Sequence, residues 1–247
     1  MIIMSSSEYI SRLFTMEARD TYYSNKYPYN LCYNHPDGRT SADCWNLIKA
    51  LLNGYDVNNH NVGYYQKNLS NTGDVDGAGL LAKCTDVSGN FNLLKKGEPR
   101  LLYMPGHAGS YVGEFSYNGK NYNVIECTGA WERKILFSWV DNDGTRRHYQ
   151  GGAKNGKWTK HGKMTAWLDY GTQPSPKEVT VTASVPILQK GSKGDAVRAL
   201  QALLKIGVDG DFGNITDIAV RTYQATQVLT SDGIVGEKTW SKLLNNM

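Results

Sequence analysis

Three residues in this chain have types that could do covalent chemistry together: Cys44, His107 and Glu126. A thiol becomes a useful nucleophile when a base takes its proton, and the base works when a third polar group holds its ring. In that scheme Cys44 attacks a peptide carbonyl. His107 carries the thiol proton to the leaving amine, and Glu126 orients the imidazole. The backbone N–H of Cys44 and a neighbour would face the developing oxyanion. A cysteine taken alone reads as a small buried core residue; what sets Cys44 apart is its position and its partners.

Cys44 needs a helix N-terminus. Trp45, Ile48, Leu51 and Leu52 recur at helical spacing, and Gly54 stands just past the end. Ser41 or Asp43 can cap this helix, which leaves Cys44 in its first turn. Unpaired N–H groups and the positive end of the helix dipole favour a thiolate there. His107 and Glu126 need a sheet. Residues 101–104 read as a buried strand, Pro105-Gly106 interrupts it, and His107 opens the next. Asn118-Gly119 marks a hairpin, and residues 122–127 return with Glu126. Residues 135–140 add a further strand to a small antiparallel sheet. A strict two-residue turn sets Tyr117 opposite Lys120, Glu126 opposite Tyr111 and His107 opposite Ala130. That separates His107 from Glu126 by four residues of strand, roughly 13 Å. Either the hairpin carries a bulge or a longer loop, or another group such as Thr128 orients the histidine.

The rest of the chain frames these elements. Tyr9, Ile10, Leu13 and Met16 form a helical stripe. The Tyr-rich residues 20–29 read as a packing loop or as a wall of the cleft near Cys44. Residues 64–66 could be helical, and 77–82 read as a helix start. Between Arg146 and Lys163 the charges are all positive, which predicts a solvated hairpin or a rim for an anionic polymer. Residues 165–170 could close the sheet. Residues 171–185 are rich in Pro, Ser and Thr and read as a linker, with Val179 and Val181 able to add a short strand. Beyond them come three amphipathic helices, with Val197, Leu200, Leu203 and Leu204 on the first, Ile218, Ala219 and Tyr223 on the second, and Trp240, Leu243 and Leu244 on the third. An Asp-Gly-x-x-Gly pattern recurs at Asp209 and Asp232, each time just ahead of a helix.

Composition narrows the classes. The chain has 247 residues and a net charge of +4, too small to imply nucleic acid. It has no span apolar enough for a membrane and no basic leader before an apolar run, so neither membrane insertion nor a signal peptide is expected. Cys32, Cys44, Cys84 and Cys127 fit no zinc-finger spacing, and the five histidines form no paired-ligand motif. No metal and no cofactor are expected, and free thiols are the default.

The motifs carry two resemblances. Pro28-Tyr29, Asp43-Cys44, His107-Ala108-Gly109-Ser110-Tyr111-Val112-Gly113 and then Val124-Ile125-Glu126 resemble the NlpC-type branch of papain-like cysteine peptidases, which cut peptidoglycan and stand close to CHAP domains. Trp45-Asn46 replaces the usual Ser-Gly after the cysteine, and Glu126 stands where His, Asn or Gln is more usual. The resemblance implies catalytic Cys44, His107 and Glu126, with Tyr29, Asp43 and Trp45 as substrate-side residues; Asp43 would support a substrate amine or the helix start. Lys190-Gly191-Ser192-Lys193-Gly194-Asp195-Ala196-Val197, Asp209-Gly210-Asp211-Phe212-Gly213, Ala219-Val220-Arg221-Thr222-Tyr223-Gln224 and Asp232-Gly233-Ile234-Val235-Gly236 are similar to the three-helix peptidoglycan-binding domain.

The expected fold is α+β. A papain-like domain, with its catalytic helix packed on a small antiparallel sheet, occupies residues 1–170. A linker covers 171–185, and an all-α three-helix domain covers 186–247. The resemblances imply a peptidoglycan hydrolase, a thiol protease cleaving the stem peptide between D-γ-glutamate and the diamino acid. Its build resembles that of a bacteriophage endolysin, which would make it a bacteriolytic enzyme of host-cell lysis held in the host cytoplasm until it reaches the wall. The alternatives are an N-acetylmuramoyl-L-alanine amidase using the same Cys/His site, and a non-catalytic wall-binding protein. The expected partner is bacterial peptidoglycan.

Overall fold

The computed structural model describes residues 4–18, 21–28, 32–37, 39–55, 63–64, 69–170, 186–227 and 229–245. Helix α1 (Ser6–Ala18) buries Tyr9, Ile10, Leu13, Phe14 and Met16 on one face. Helix α2 (Cys44–Leu52) starts at Asp43, whose carboxylate accepts the Asn46 N–H at 2.8 Å, so Asp43 and not Ser41 is the cap. Both helices pack on one face of a sheet through Ala108, Val112, Ile125, Cys127, Ile135 and Phe137. A short helix, α3 (Gly77–Ala82), is capped by Asp76. The strand Gly63–Tyr64 lies where a helix is predicted for 64–66; residues 65 and 66 lie outside the described residues.

The sheet is larger than predicted. Its eight strands among the described residues are β1 (Thr85–Ser88), β2 (Arg100–Met104), β3 (His107–Tyr117), β4 (Lys120–Cys127), β5 (Ile135–Val140), β6 (Thr145–Arg147), β7 (Lys154–Lys157) and β8 (Lys160–Lys163), in the order β7-β6-β5-β4-β3-β2-β8-β1. Strand β7 ends one side of this sheet, yet β8 follows after only Trp158 and Thr159 and pairs with β2. The three steps from Lys157 to Lys160 span at most about 11 Å, so the sheet must curl until its sides meet. Trp158 N–H reaches the Gly144 carbonyl at 2.8 Å and Thr159 N–H the Tyr103 carbonyl at 2.9 Å, which closes the curl. Its inside is lined by Phe91, Leu102, Tyr111, Val124, Val140 and Trp158. Residues 165–170 do not extend this sheet. Leu168–Asp169 instead pairs in parallel with Met4–Ser5.

The Asn118-Gly119 turn forms as predicted, with both residues at positive φ and Tyr117 opposite Lys120. The register then changes. Phe115 faces Tyr122, but Tyr111 faces Val124 and Ser110 faces Ile125. Val112, Gly113 and Glu114 therefore stand opposite the single residue Asn123, a bulge that slides the strands by two residues. Gly113 supplies its positive φ of 87°.

The three C-terminal helices are α4 (Asp195–Leu203), α5 (Asn214–Thr226) and α6 (Glu237–Asn245), around Leu188, Val197, Leu200, Phe212, Val220, Val235, Trp240 and Leu243. The repeated turns are built alike. Gln201 binds Asp209, the Asp211 carbonyl, Thr216 and the Gly210 N–H; Gln224 binds Asp232, the Ile234 carbonyl, Thr239 and the Gly233 N–H. Each buried glutamine thus satisfies its amide by tying a turn to the helix after it. Ile218 is not an inner residue of this bundle; Val220 is. Ile218 joins the core around Phe14, because α5 docks on α1 and β3, and Arg221 Nη1 donates to the Ser116 carbonyl at 3.3 Å. The predicted linker, 171–185, with Val179 and Val181, lies outside the described residues.

Candidate active site

Cys44 is 3% exposed at the N-terminus of α2. The paired register of β3 and β4 stops at Ser110 and Ile125, short of His107. Past that point the Ala108 N–H is donated to the Cys44 sulfur, which places the thiol beside the residue that follows His107. Cys127 Sγ donates to the Ala42 carbonyl at 3.3 Å, so the start of α2 sits across the splayed end of the two strands.

The helix terminus does not make Cys44 a resting thiolate. Burial pushes its thiol up to about 12 and the neighbouring Asp43 charge adds to this, outweighing the N–H groups of Ala108, Trp45 and Cys44 itself. Asp43 is the reason the dipole argument falls short. Its carboxylate occupies the positive end of the helix, with one oxygen on the Asn46 N–H and the other on Asn46 Nδ2 at 2.7 Å. Of the two roles predicted for Asp43, the helix start is the one this geometry gives it.

His107 and Glu126 meet. Continuing the observed register places Glu126 opposite Gly109 and His107 opposite Thr128. The two side chains are then diagonal neighbours about 7 Å apart along the sheet. His107 Nε2 lies 2.5 Å from Glu126 Oε2. Gly109 makes room for this contact. A Cβ there would stand 2.9 Å from Trp158 Cη2 and 3.2 Å from Glu126 Cβ. Trp158 fills the slot instead and stacks on the His107 ring, centroids 5.2 Å apart.

Glu126 has no exposed side-chain surface. Arg146 Nε donates to both its oxygens at 2.9 Å and Arg146 Nη2 to Oε2 at 2.6 Å, while Ser138 Oγ donates to Oε1. Burial alone would raise the carboxyl. The His107 hydrogen bond and the Arg146 charge override it and hold the group at about 2, against an ordinary 4.5. An anion only accepts, so His107 carries its proton on Nε2 and leaves Nδ1 as the basic nitrogen. The folded state thus takes up this proton only near pH 2, whereas the unfolded chain takes it up near 4.5. The pair's contribution is whole above about pH 4.5 and is lost as pH falls toward 2. Urea midpoints measured down that range should fall, and less steeply in a Glu126→Gln, Arg146→Met double variant.

Arg146 corrects the prediction of a solvated basic hairpin. It is 2% exposed, and Arg147 pairs with Asp141; Lys154, Lys157 and Lys160 are the members of that run in solvent. Arg146, Ser138 and Trp158 are site residues that sequence reasoning missed. The uniform sign of the run hid Arg146, since only the closed sheet turns that position inward. The half-buried Trp45 ring lies 3.5 Å from where a Gly77 Cβ would stand. Tyr23 packs on Gly129; burial first, with the nearby Asp43 charge adding to it, pushes its hydroxyl above its usual range. Tyr29 lies outside the described residues. All four cysteines are free thiols. Among the described residues no group of three or more His, Cys, Asp or Glu side chains is placed to hold a metal ion, and no helix is long and apolar enough to cross a membrane.

Residues 193–243 match the family described as "Putative peptidoglycan binding domain". The chain is 42% identical over 79 residues to an "Uncharacterized protein in bpoA1 3'region" of Kitasatospora aureofaciens, covering 29% of this chain and 67% of that one, and belongs to one family with it. It is 38% identical over 64 residues to the "Zinc D-Ala-D-Ala carboxypeptidase" of Streptomyces albus G, covering 23% of this chain and 25% of that enzyme. A solved structure, "The crystal structure of SleB N-terminal domain", matches at 36% identity over 26% of this chain and 94% of that one, with a TM-score of 0.25. The C-terminal helices are therefore a peptidoglycan-binding domain, and the chain has a cell-wall-related role.

Proposed function

We propose that this protein is a peptidoglycan hydrolase of the cysteine-peptidase type, cleaving the stem peptide at the D-γ-glutamyl–diamino acid bond. The observation that supports it most is the hydrogen bond from His107 to an ionised Glu126, beside a thiol seated on the Ala108 N–H, in a chain that also carries a wall-binding domain. With Nε2 committed to Glu126, Nδ1 takes the Cys44 proton as sulfur attacks the carbonyl carbon. The tetrahedral oxyanion collapses to a thioester, and the imidazolium gives its proton to the leaving amine. Water, deprotonated by the same nitrogen, then hydrolyses the thioester and returns the thiol. A thiol held near 12 makes this proton transfer part of the attack and not a resting ion pair. The peptidoglycan-binding domain would hold the polymer near the site and raise its local concentration. The build suits a bacteriophage endolysin, stored in the host cytoplasm and released onto the wall.

Digestion of purified walls, followed by fragment masses, tests the reaction. New amino termini on the diamino acid are expected. Free lactyl groups on the sugar would make the enzyme an amidase at the same site, and unchanged walls would leave a wall-binding protein without catalysis.

A further inference from the structure

We infer that Arg146 is a positioning residue of this site, acting through Glu126 to set the tautomer and direction of the His107 ring. The inference rests on Cys44 and His107 being the working pair. Glu126 lies in the inside of the curled sheet with no exposed side-chain surface, and a carboxylate isolated there would take up a proton. A neutral Glu126 could donate its proton to His107 Nε2. The ring proton would then sit on Nδ1, the nitrogen that has to accept from Cys44. Arg146 prevents this by setting its guanidinium charge against both carboxylate oxygens.

Its planar fork also fixes the plane of the carboxylate, since Nε and Nη2 grip both oxygens. Arg146 is in turn held from every side. Nη1 donates to the Asn155 carbonyl at 3.1 Å and Nη2 to Thr128 Oγ1 at 3.0 Å, and the guanidinium lies over the Trp131 ring at 4.5 Å and the Trp158 ring at 5.7 Å. Trp158 stacks on His107 itself. Arg146 therefore braces the acid that holds the imidazole, while Trp158 supports the ring itself from beneath. Trp131 reaches Arg146 from the loop after β4, where its φ is 53°. A bulky residue at positive φ is held there by surrounding contacts, and strain of this kind gathers at functional sites.

The test is a set of variants assayed on soluble stem-peptide fragments, with melting temperature and retention on walls followed in parallel. Arg146→Met is expected to lower kcat by about 100-fold with KM within about threefold of wild type, and Arg146→Lys to recover about tenfold of that loss, because charge returns without the fork. Arg146→Met leaves a buried unpaired carboxylate and Glu126→Gln a buried unpaired cation, so both lose stability. The double variant removes both charges and keeps the chain folded if either single variant does not. Its kcat should match that of Glu126→Gln alone, since Arg146 acts only through that carboxylate.

A folded Arg146→Met with wild-type kcat would overturn the inference. So would a double variant whose loss is the product of the two single losses. Full-rate cleavage by Cys44→Ala is a different failure: it would remove the proposed nucleophile and with it the site that Arg146 is said to serve.

Discussion

Cys44→Ala is expected to abolish wall lysis by the full chain while its retention on walls stays at the wild-type level. The loss expected for a covalent nucleophile is on the order of 10⁴-fold or more in kcat, because the remaining groups cannot form the thioester. Folding should change little. The sulfur occupies a small buried site, its loss costs about 1 kcal/mol, and α2 keeps its cap at Asp43 and its apolar face of Leu47, Ile48, Leu51 and Leu52. The wall-binding domain has its own core around Phe212, Val220 and Trp240, so retention reports on it separately. Clearing of a wall suspension and co-sedimentation with walls measure the two properties. Lysis at full rate by the variant would show that Cys44 is a core residue. The raised thiol adds a second expectation. At neutral pH, Cys44 in His107→Ala should react with an alkylating agent more slowly than in wild type, since the thiol loses its base.

Gly113→Val should cost both stability and activity, and for one reason. Gly113 holds φ at 87°, and a Cβ there would lie 3.3 Å from the Gly97 N. Strain and crowding together are worth about 2–4 kcal/mol. The chain can relieve them by giving up the bulge. The strands would then slide by two residues, and His107 and Glu126 would part from about 7 Å to roughly 13 Å. Gly119 is the control. It too has a positive φ, 71°, but nothing lies within 4 Å of its Cβ position, and it sits at the far end of the same hairpin. Gly119→Ala should lose about 1 kcal/mol and leave kcat unchanged. Urea midpoints and kcat for the two variants decide the matter. A Gly113→Val protein with wild-type kcat would show that the bulge does not set the site.

Much of the local structure was legible in the residues themselves. The α2 helix and its closing Gly54, the Asn118-Gly119 turn, the α1 stripe and the three C-terminal helices rest on contacts within a few residues, where periodicity and turn chemistry decide. The recurrence of Asp-Gly-x-x-Gly was visible too, although the glutamine that ties each turn down stands eight residues earlier, at Gln201 and Gln224, and only folding brings it there. Ile218 shows the limit of a helical stripe. Its spacing marks a buried face without saying which partner buries it, and α1 does so from the other end of the chain.

The site divides in the same way. Residue type and order alone determined that a thiol, an imidazole and a carboxylate were on hand, with the thiol at a helix start. They also set the question of register, because two-residue turns and pleated strands count in whole residues. Only the tertiary structure decided the answer. A bulge at Gly113 brings His107 onto Glu126, and Gly109 leaves Trp158 the room to stack beside them. The curled sheet then turns Arg146 inward from a run of positive charge and keeps Glu126 ionised down to about pH 2. Asp43 and burial together undo the thiolate that a bare helix terminus would favour. Charge state and register depend on what lies across space from a residue, and that is settled when the strands close.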